Sequence, residues 1–199
     1  MLALAQDDLF GPVFVTSKSG LSKSGEPLAL ATNAINYKVY PFSLPEDMSA
    51  ESGEPTTIDT IWRCARVPES ADKITLKSSQ DRYLACNQVG EITAEREARG
   101  AEEEFILEPI EGKGKGAYAI RSAAWGKYLS VDEVAGGKLE LRCDVEEPGS
   151  DDDSLWYVKM QAEFLGKMEE ERRRKERKIA PDDGLVVVKD FKALEDTNM

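Results

Sequence analysis

The amino-acid sequence predicts an all-β protein: a β-trefoil of three four-stranded repeats, followed by a C-terminal α-helix and a mostly disordered tail. Internal repetition is the first observation behind this prediction. Residues 73–107 read KITLKSSQDRYLACNQVGEITAEREARGAEEEFIL, and residues 117–144 follow with AYAIRSAAWGKYLSVDEVAGGKLELRCD and resume at SLWYVKM. Both copies contain, in the same order, a Lys/Arg-Tyr-Leu element, a Gly-x-Ile/Leu element and an aromatic residue. Self-similarity at a period of about 45 residues indicates one supersecondary unit used repeatedly.

The second observation is the alternation of residue types within each copy. Apolar residues recur at every other position in four short stretches, and Gly, Asp, Ser or Asn residues separate these stretches. This pattern is typical of half-buried antiparallel strands with turns between them. Each copy therefore predicts four strands.

A first, weaker repeat is expected upstream, because two repeats alone would leave open sheet edges. Its strands are predicted at residues 13–17, 27–30, 35–39 and 61–64. Trp62 then takes the position of Phe105 and Trp156 in the fourth strand. The trefoil is predicted over residues 12–160, and the alternative is a generic β-sandwich or barrel.

The segments outside these strands are assigned from their composition. Residues 1–11 are expected to be a loosely held lead-in, and residues 41–57, rich in Pro, Ser, Glu and Thr, a long surface loop. Residues 161–180 combine apolar residues at helical spacing with a charged run, which predicts a charged helix that Pro181 ends. Residues 181–199 are predicted to be a tail that is disordered when the protein is alone.

The composition argues against several classes of function. The chain has 3 Cys residues without metal-ligand spacing, and Cys64, Cys86 and Cys143 each follow an apolar strand residue by two positions, so buried reduced thiols are predicted. It has no His, the commonest general base at neutral pH. We expect no enzymatic activity, no metal and no cofactor. No apolar stretch is long enough to cross a membrane, and the net charge of −12 disfavours attraction of nucleic acid to the surface as a whole.

Positively charged residues remain as candidate contacts with a partner protein or RNA. Four of them occupy matching positions of the second and third repeats, and six lie in the predicted helix. The candidates are Lys77, Arg82, Arg121, Lys127, Arg172, Arg173, Arg174, Lys175, Arg177 and Lys178. The alternative is that the first four mark an ordinary solvent-facing side of the strands and the last six an ordinary exposed helix.

These stretches resemble the FSHD region gene 1 (FRG-like) family, whose barrel is related to the actin-crosslinking trefoils of fascin. The resemblance rests on KITLKSSQDRYLACNQVGEITAEREARGAEEEF, on AIRSAAWGKYLSVDE and on the basic helix after the barrel, and it covers roughly residues 10–178. It implies a fascin-like trefoil in a non-catalytic nuclear protein, with the nucleolus and a cytoplasmic fraction as further locations. It also implies association with the spliceosome in mRNA splicing, a role in mRNA and rRNA processing, and binding of RNA and F-actin.

Three hypotheses for the function follow. The leading hypothesis is a non-catalytic nuclear scaffold that joins the spliceosome through its hairpin loops and the helix after the barrel, with spliceosomal proteins and RNA as partners. The alternative is a fascin-like protein that binds or bundles F-actin. A glycan-binding lectin is the third, and it is disfavoured because the repeats lack the QxW motif of many trefoil lectins.

Overall fold

The fold was analysed in a computed structural model of the chain. The structure describes residues 2–3, 10–18, 26–45, 47–70, 72–114, 116–148, 152–160, 164 and 170. All described strands belong to the compact unit Met1–Leu165. No helix among the described residues is long and apolar enough to cross a bilayer.

Thirteen strands and three single-turn 3-10 helices make up the described part of this unit. The strands are β1 (Leu2–Ala3), β2 (Gly11–Ser17), β3 (Leu28–Thr32), β4 (Val39–Ser43), β5 (Ile61–Arg66), β6 (Lys73–Lys77), β7 (Tyr83–Cys86), β8 (Ile92–Arg96), β9 (Phe105–Pro109), β10 (Ala117–Ser122), β11 (Tyr128–Val134), β12 (Lys138–Val145) and β13 (Trp156–Met160). The 3-10 turns are Ile58–Thr60, Ala101–Glu103 and Asp152–Ser154, and each lies immediately before the last strand of a repeat.

Six of the strands close into a barrel. Going around it, β2, β5, β6, β9, β10 and β13 pair with their neighbours antiparallel, and β13 returns to β2. The strand pairs β3–β4, β7–β8 and β11–β12 form hairpins beside it. This is the four-strand unit used three times, so the predicted all-β trefoil architecture is confirmed.

One aromatic residue from each repeat lies at the centre of the core. Trp62, Phe105 and Trp156 are each 0% exposed, as the repeat alignment predicts. The indole N–H of Trp62 donates to the Leu30 carbonyl at 2.9 Å, and that of Trp156 donates to the Leu129 carbonyl at 2.8 Å. A buried indole needs such a partner. The two bonds also establish that Leu30 and Leu129 are equivalent positions.

The three cysteines are buried, as predicted. Cys64, Cys86 and Cys143 lie on β5, β7 and β12, and none of the three forms a disulfide. Burial raises the pKa of Cys64 to about 12, so this thiol stays protonated at neutral pH. Cys64 therefore acts as a small apolar side chain in the barrel.

The predicted third strand of the first repeat, residues 35–39, is wrong. These residues form a turn that ends at Val39, where β4 begins. The Asn33 side chain accepts from the backbone N–H groups of Ile35 and Asn36 at 2.8 and 3.2 Å, which holds the turn, and Tyr37 has a φ of 56°. The alternation of Ile35, Tyr37 and Val39 therefore reflects a turn whose Ile35 side chain is exposed, because a local Asn hydrogen bond competes with strand pairing.

The prediction that residues 41–57 form a long surface loop is confirmed for most of the segment, but the structure adds buried contacts that the composition does not predict. Residues 41–43 belong to β4, and the rest, which we call the cover loop (residues 44–45 and 47–57), folds back onto the barrel. Leu44 and Ala50 are buried, at 1% and 3% exposure. Leu44 packs with Phe14, and Ala50 packs with Tyr157. Leu44 and Ala50 thus help to anchor a loop whose composition is largely polar.

The remaining predicted segments are described only in part. The short strand β1 lies within the predicted lead-in of residues 1–11 and pairs with β13. The predicted helix of residues 161–180 lies outside the described residues except for Phe164 and Glu170, whose backbone is helical. The predicted tail of residues 181–199 lies wholly outside them. No group of three or more metal-ligating side chains is found in the described part of the chain.

Candidate interaction surface

The strand register places three equivalent rows of side chains on the barrel. In each repeat, the opening strand has the last strand of the preceding repeat on one side and its own second strand on the other. The residues directly opposite one another are Tyr157, Thr16 and Ala29 in the repeat-1 row, Arg63, Lys77 and Tyr83 in the repeat-2 row, and Ile106, Arg121 and Tyr128 in the repeat-3 row. Two of the rows therefore contain a cation beside a tyrosine.

In the repeat-2 row the cation contacts the tyrosine ring directly. The Lys77 ammonium lies 4.5 Å from the centroid of the Tyr83 ring, which is a cation–π contact. Arg63 forms an ion pair with Asp81 at the edge of the row. Both members of that ion pair are exposed, so this pair adds little stability and remains accessible to a partner.

Arg82 precedes Tyr83 and joins two repeats. Its guanidinium lies 4.8 Å from the centroid of the Tyr37 ring, donates to the Glu95 carbonyl at 2.8 Å and pairs with the Glu97 carboxylate at 2.8 Å. Tyr37 belongs to the first repeat and Glu95 to the second. Arg82 is therefore held in place by its neighbours.

In the repeat-3 row the cation and the tyrosine share one carboxylate. Arg121 Nε donates to Glu108 Oε1 at 2.6 Å, and the Tyr128 hydroxyl donates to Glu108 Oε2 at 2.7 Å. Burial alone would raise the pKa of Glu108, but these two hydrogen bonds and the charge of Arg121 outweigh it and hold the pKa below its usual value. The same bond to Glu108 raises the pKa of Tyr128, because an ionised tyrosine could not donate it. Lys127, just before Tyr128, pairs with Glu146 at 2.7 Å.

The repeat-1 row is covered rather than exposed. The Thr16 hydroxyl donates to the Ala50 carbonyl of the cover loop at 2.5 Å, and the Tyr157 hydroxyl lies 3.3 Å from the Glu51 carboxylate. Tyr157 is only 6% exposed. The loop therefore occupies the surface that a partner could reach in the other two repeats.

A buried lysine fixes the cover loop in this position. Lys159 is 1% exposed, and its amine donates to the carbonyls of Ala50 and Gly53 at 2.7 and 3.0 Å. It also lies 4.8 Å from the centroid of the Phe14 ring. Burial lowers the pKa of Lys159 to about 8, although the nearby Glu51 charge acts in the opposite direction.

One further aromatic residue lies between the second and third repeats. Trp125, in the turn between β10 and β11, is 37% exposed, and its indole N–H donates to the Cys86 carbonyl at 2.9 Å. The bond fixes the ring while one part of it remains accessible. A fixed, half-exposed tryptophan is a typical anchor residue of protein interfaces.

The structure brings together only some of the candidates predicted from sequence. Lys77 and Arg121 occupy equivalent positions in the two exposed rows, and Arg82 and Lys127 each precede the tyrosine of the row. The six candidates in the predicted helix lie outside the described residues: Arg172, Arg173, Arg174, Lys175, Arg177 and Lys178. Sequence analysis missed Glu108 and the two tyrosines as partners of these cations, although the repeated Lys/Arg-Tyr-Leu element contains both tyrosines.

Two comparisons by sequence find similarity between this chain and known proteins. A family model described as the FRG1-like domain matches residues 43–199. The chain is also similar to a protein of Schizosaccharomyces pombe called Protein frg1, with 30% identity over 95 residues, or 47% of this chain and 36% of that protein. The matched region thus spans about a third of the length of this relative.

Comparison with solved structures identifies the same architecture. The designed three-fold symmetric protein ThreeFoil has a TM-score of 0.54 at 15% identity, over 76% of this chain and 99% of its own. The SDF2-like protein of Arabidopsis thaliana has a TM-score of 0.53 at 16% identity, over 76% and 93%. The BEL β-trefoil has a TM-score of 0.53 at 13% identity, over 80% and 97%. At such low identity these similarities show the trefoil fold alone.

Proposed function

Because the chain belongs to the FRG1-like family, we propose that it is a non-catalytic scaffold of the nucleus that joins the spliceosome and acts in pre-mRNA splicing and RNA processing. The observation that carries the docking role is the pair of equivalent rows in which a cation lies beside a half-exposed tyrosine, Lys77 with Tyr83 and Arg121 with Tyr128. Tyrosine and arginine are enriched at protein interfaces because they combine a large apolar area with a polar group.

The state of the barrel cations favours a protein as the partner of this surface. Arg82 pairs with Glu97, Arg121 with Glu108 and Lys127 with Glu146. An RNA phosphate at any of these positions would have to displace a carboxylate, in a chain whose net charge is −12. A protein surface can contact the tyrosine rings and leave the ion pairs intact.

Direct contact with RNA is assigned to the basic stretch after the barrel. Four consecutive cations, Arg172 to Lys175, are followed by Arg177 and Lys178, which is the strongest local positive charge in the chain. We propose that this stretch contacts RNA phosphates or an acidic protein surface while the barrel docks on protein. The two contacts can therefore be tested separately.

Affinity purification of the tagged full chain from nuclear extract, with and without RNase, tests the proposal. Mass spectrometry should recover spliceosomal proteins in both samples. Replacing Tyr83 and Tyr128 together by Ala should reduce their recovery about tenfold, because the interface loses two anchor residues. The matched control replaces both tyrosines by Phe, which keeps the rings and should keep the association.

Two results would overturn this assignment. Recovery of spliceosomal proteins only without RNase would mean that RNA bridges the association, and replacing Arg172, Arg173 and Arg174 by Gln should then abolish it. Recovery of actin and its crosslinkers in place of spliceosomal proteins would favour the cytoskeletal alternative. Co-sedimentation of the purified chain with actin filaments would establish that alternative directly.

A further inference from the structure

Two of the three cysteines meet at the junction between the second and third repeats. Cys86 is the last residue of β7, and Cys143 lies on β12, 57 residues further along the chain. The Sγ atom of Cys86 lies 3.8 Å from the Cys143 carbonyl oxygen, and the two thiols share a hydrogen bond. Both residues are buried, at 0% and 1% exposure. Two sulfur atoms from different repeats are therefore neighbours in the core.

The backbone around the pair keeps the two repeats in close contact. The Cys143 N–H donates to the Gly90 carbonyl at 2.9 Å, and the Arg142 guanidinium donates to the Val89 carbonyl at 3.0 Å. Gly90 has a φ of 80°, and a Cβ atom there would lie 2.8 Å from the Cβ atom of Asp144. Glycine is therefore needed for this close approach. The turn after β7 is thus packed directly against the strand that carries Cys143.

The two thiols differ in their tendency to ionise. The hydrogen bond from Cys143 lowers the pKa of Cys86, and a bond with Ser122 acts in the same direction, although burial opposes both. The same bond between the thiols, together with burial, raises the pKa of Cys143. The Cys143 thiol also donates to the Lys127 carbonyl at 3.2 Å. Cys86 therefore ionises first, and the thiolate is the reactive form of cysteine.

The third cysteine lies in a different environment. Burial raises the pKa of Cys64 to about 12. The residues directly opposite Cys64 on the two neighbouring strands are Gly11 and Leu76, and neither of them is a cysteine. Cys64 is therefore an internal control for the reactivity of a buried thiol in this chain.

We propose that Cys86 and Cys143 form a redox modification site, in which a peroxide oxidises Cys86 and Cys143 then closes a disulfide between the second and third repeats. Disulfide formation depends on a close approach of the two side chains, and here the thiols are already in contact. The inference does not depend on the docking role proposed above.

The reaction consumes one peroxide and both thiols. With hydrogen peroxide, the Cys86 thiolate attacks one oxygen, so that an S–O bond forms and the O–O bond breaks. The hydroxide that leaves takes up the proton that Cys86 released. The Cys143 sulfur then attacks the sulfenic sulfur of Cys86, the S–S bond forms, the S–O bond breaks, and the hydroxide leaves as water with the Cys143 proton. The thiols lose two electrons, and the peroxide is reduced to two water molecules.

The turn after β7 gives the oxidant a route to the pair. Cys86 is followed by the half-buried Asn87 and by Gln88 and Val89, which are exposed. Hydrogen peroxide is scarcely larger than a water molecule, so a local opening of this turn is enough to expose the Cys86 sulfur. We therefore expect oxidation of the folded chain, without global unfolding.

Counting free thiols by mass spectrometry tests the proposal. The full chain is treated with hydrogen peroxide in its folded state, then denatured and labelled with iodoacetamide. The untreated chain, with its 3 Cys residues, should take up three labels, and the oxidised chain should take up one, on Cys64. Trypsin should release residues 83–96 joined to residues 143–159, and a reductant should separate the two peptides.

Serine variants test the role of each thiol. Cys64→Ser is the matched control, because it changes a buried strand cysteine in the same way, and it should still form the disulfide. In Cys143→Ser the Cys86 sulfenic acid has no thiol to resolve it. Dimedone should therefore trap Cys86 in Cys143→Ser at least about fivefold more than it traps Cys143 in Cys86→Ser.

Three labels on the peroxide-treated wild type would overturn the proposal. A disulfide that includes Cys64, or one that joins two chains, would overturn it as well. Equal trapping of the two thiols by dimedone would overturn the assignment of Cys86 as the attacking group. The thiol count is made on the wild type, so it stands even if a serine variant does not fold. None of these measurements involves spliceosomal proteins, so this proposal and the docking proposal can fail independently.

Discussion

The repeat-1 row and the repeat-2 row occupy equivalent positions on the barrel, but the first is buried and the second is accessible to solvent. Thr16 lies under the cover loop and bonds to the Ala50 carbonyl, whereas Lys77 lies half-exposed against the Tyr83 ring. The same backbone frame therefore serves as core in one repeat and as accessible surface in another. An insertion between β4 and β5 accounts for the difference, because it supplies the chain that covers the first face.

The first repeat also differs at its junction with the third. Pro41 lies opposite Leu30 as Cys143 lies opposite Leu129, but Pro41 has no N–H, whereas the Cys143 N–H donates to the Gly90 carbonyl. Both departures from threefold symmetry thus involve residues between β3 and β5. This explains why the first repeat is the hardest of the three to recognise in the sequence, and it indicates that this repeat is the specialised one.

Lys159→Ala should loosen the cover loop from the repeat-1 row and cause the largest loss of stability among these variants. It removes two hydrogen bonds to buried carbonyls and leaves a cavity beside Phe14, so we expect a loss of about 3 kcal/mol in the free energy of unfolding, measured in urea. Amide exchange in residues 47–57 should accelerate as well. Lys77→Ala on the exposed face is the control and should cost less than about 1 kcal/mol. Similar losses in the two variants would mean that Lys159 does not hold the cover loop.

The pH dependence of stability should sharpen the same comparison. Lys159 has a folded-state pKa of about 8, below its usual value of 10.5. Between these pH values the unfolded chain holds a proton that the folded chain has released. The free energy of unfolding should therefore rise with pH in this window, by at most about 1.4 kcal/mol per unit. The neutral amine can still donate to the loop carbonyls.

The contribution of Lys159 is isolated by subtracting the unfolding free energies of Lys159→Met from those of the wild type at each pH. The other titrating groups are the same in both proteins and cancel. The difference should increase from pH 8 to pH 10.5, the window set by the folded and usual pKa values. A difference that stays flat, or falls with pH, would show that burial does not depress this pKa.

Much of the fold could be predicted because its signal is repeated. The four-strand unit, the aromatic position of Trp62, Phe105 and Trp156, and the buried cysteines all follow from alternation and internal alignment. The third strand of the first repeat could not be placed, because the turn depends on a side-chain bond from Asn33 that mimics the alternation of a strand. The loop itself was predicted, but its packing against the barrel was not, because its largely polar composition hides the buried Leu44 and Ala50.

The sequence predicts the cations of the candidate surface but not the residues that they contact. Matching cations at Lys77 and Arg121 were visible in the repeat alignment, but their partners come from elsewhere in the chain. Glu108 lies on the preceding strand β9, 13 residues before Arg121 and 20 before Tyr128, and it differs in role from anything in the second repeat. The missing N–H of Pro41, at one of three equivalent positions, can be recognised only from the strand register.

Tyr128→Phe and Tyr83→Phe should show how the two exposed rows differ. Their effects on stability should be the smallest among these variants. Tyr128 contributes a hydroxyl bond to Glu108, whereas Tyr83 meets Lys77 through its ring face, which Phe retains. The hydrogen bonds of Glu108 with Arg121 and Tyr128 are partly exposed. We therefore expect Tyr128→Phe to lower the free energy of unfolding by about 1 kcal/mol and Tyr83→Phe to lower it by less than about 0.5 kcal/mol, both measured by thermal unfolding. NMR titration should also show a higher pKa for Glu108 in Tyr128→Phe, since one of the bonds that lower it is lost. Equal losses in the two variants, or an unchanged Glu108 pKa, would mean that the shared carboxylate does not distinguish the third repeat from the second.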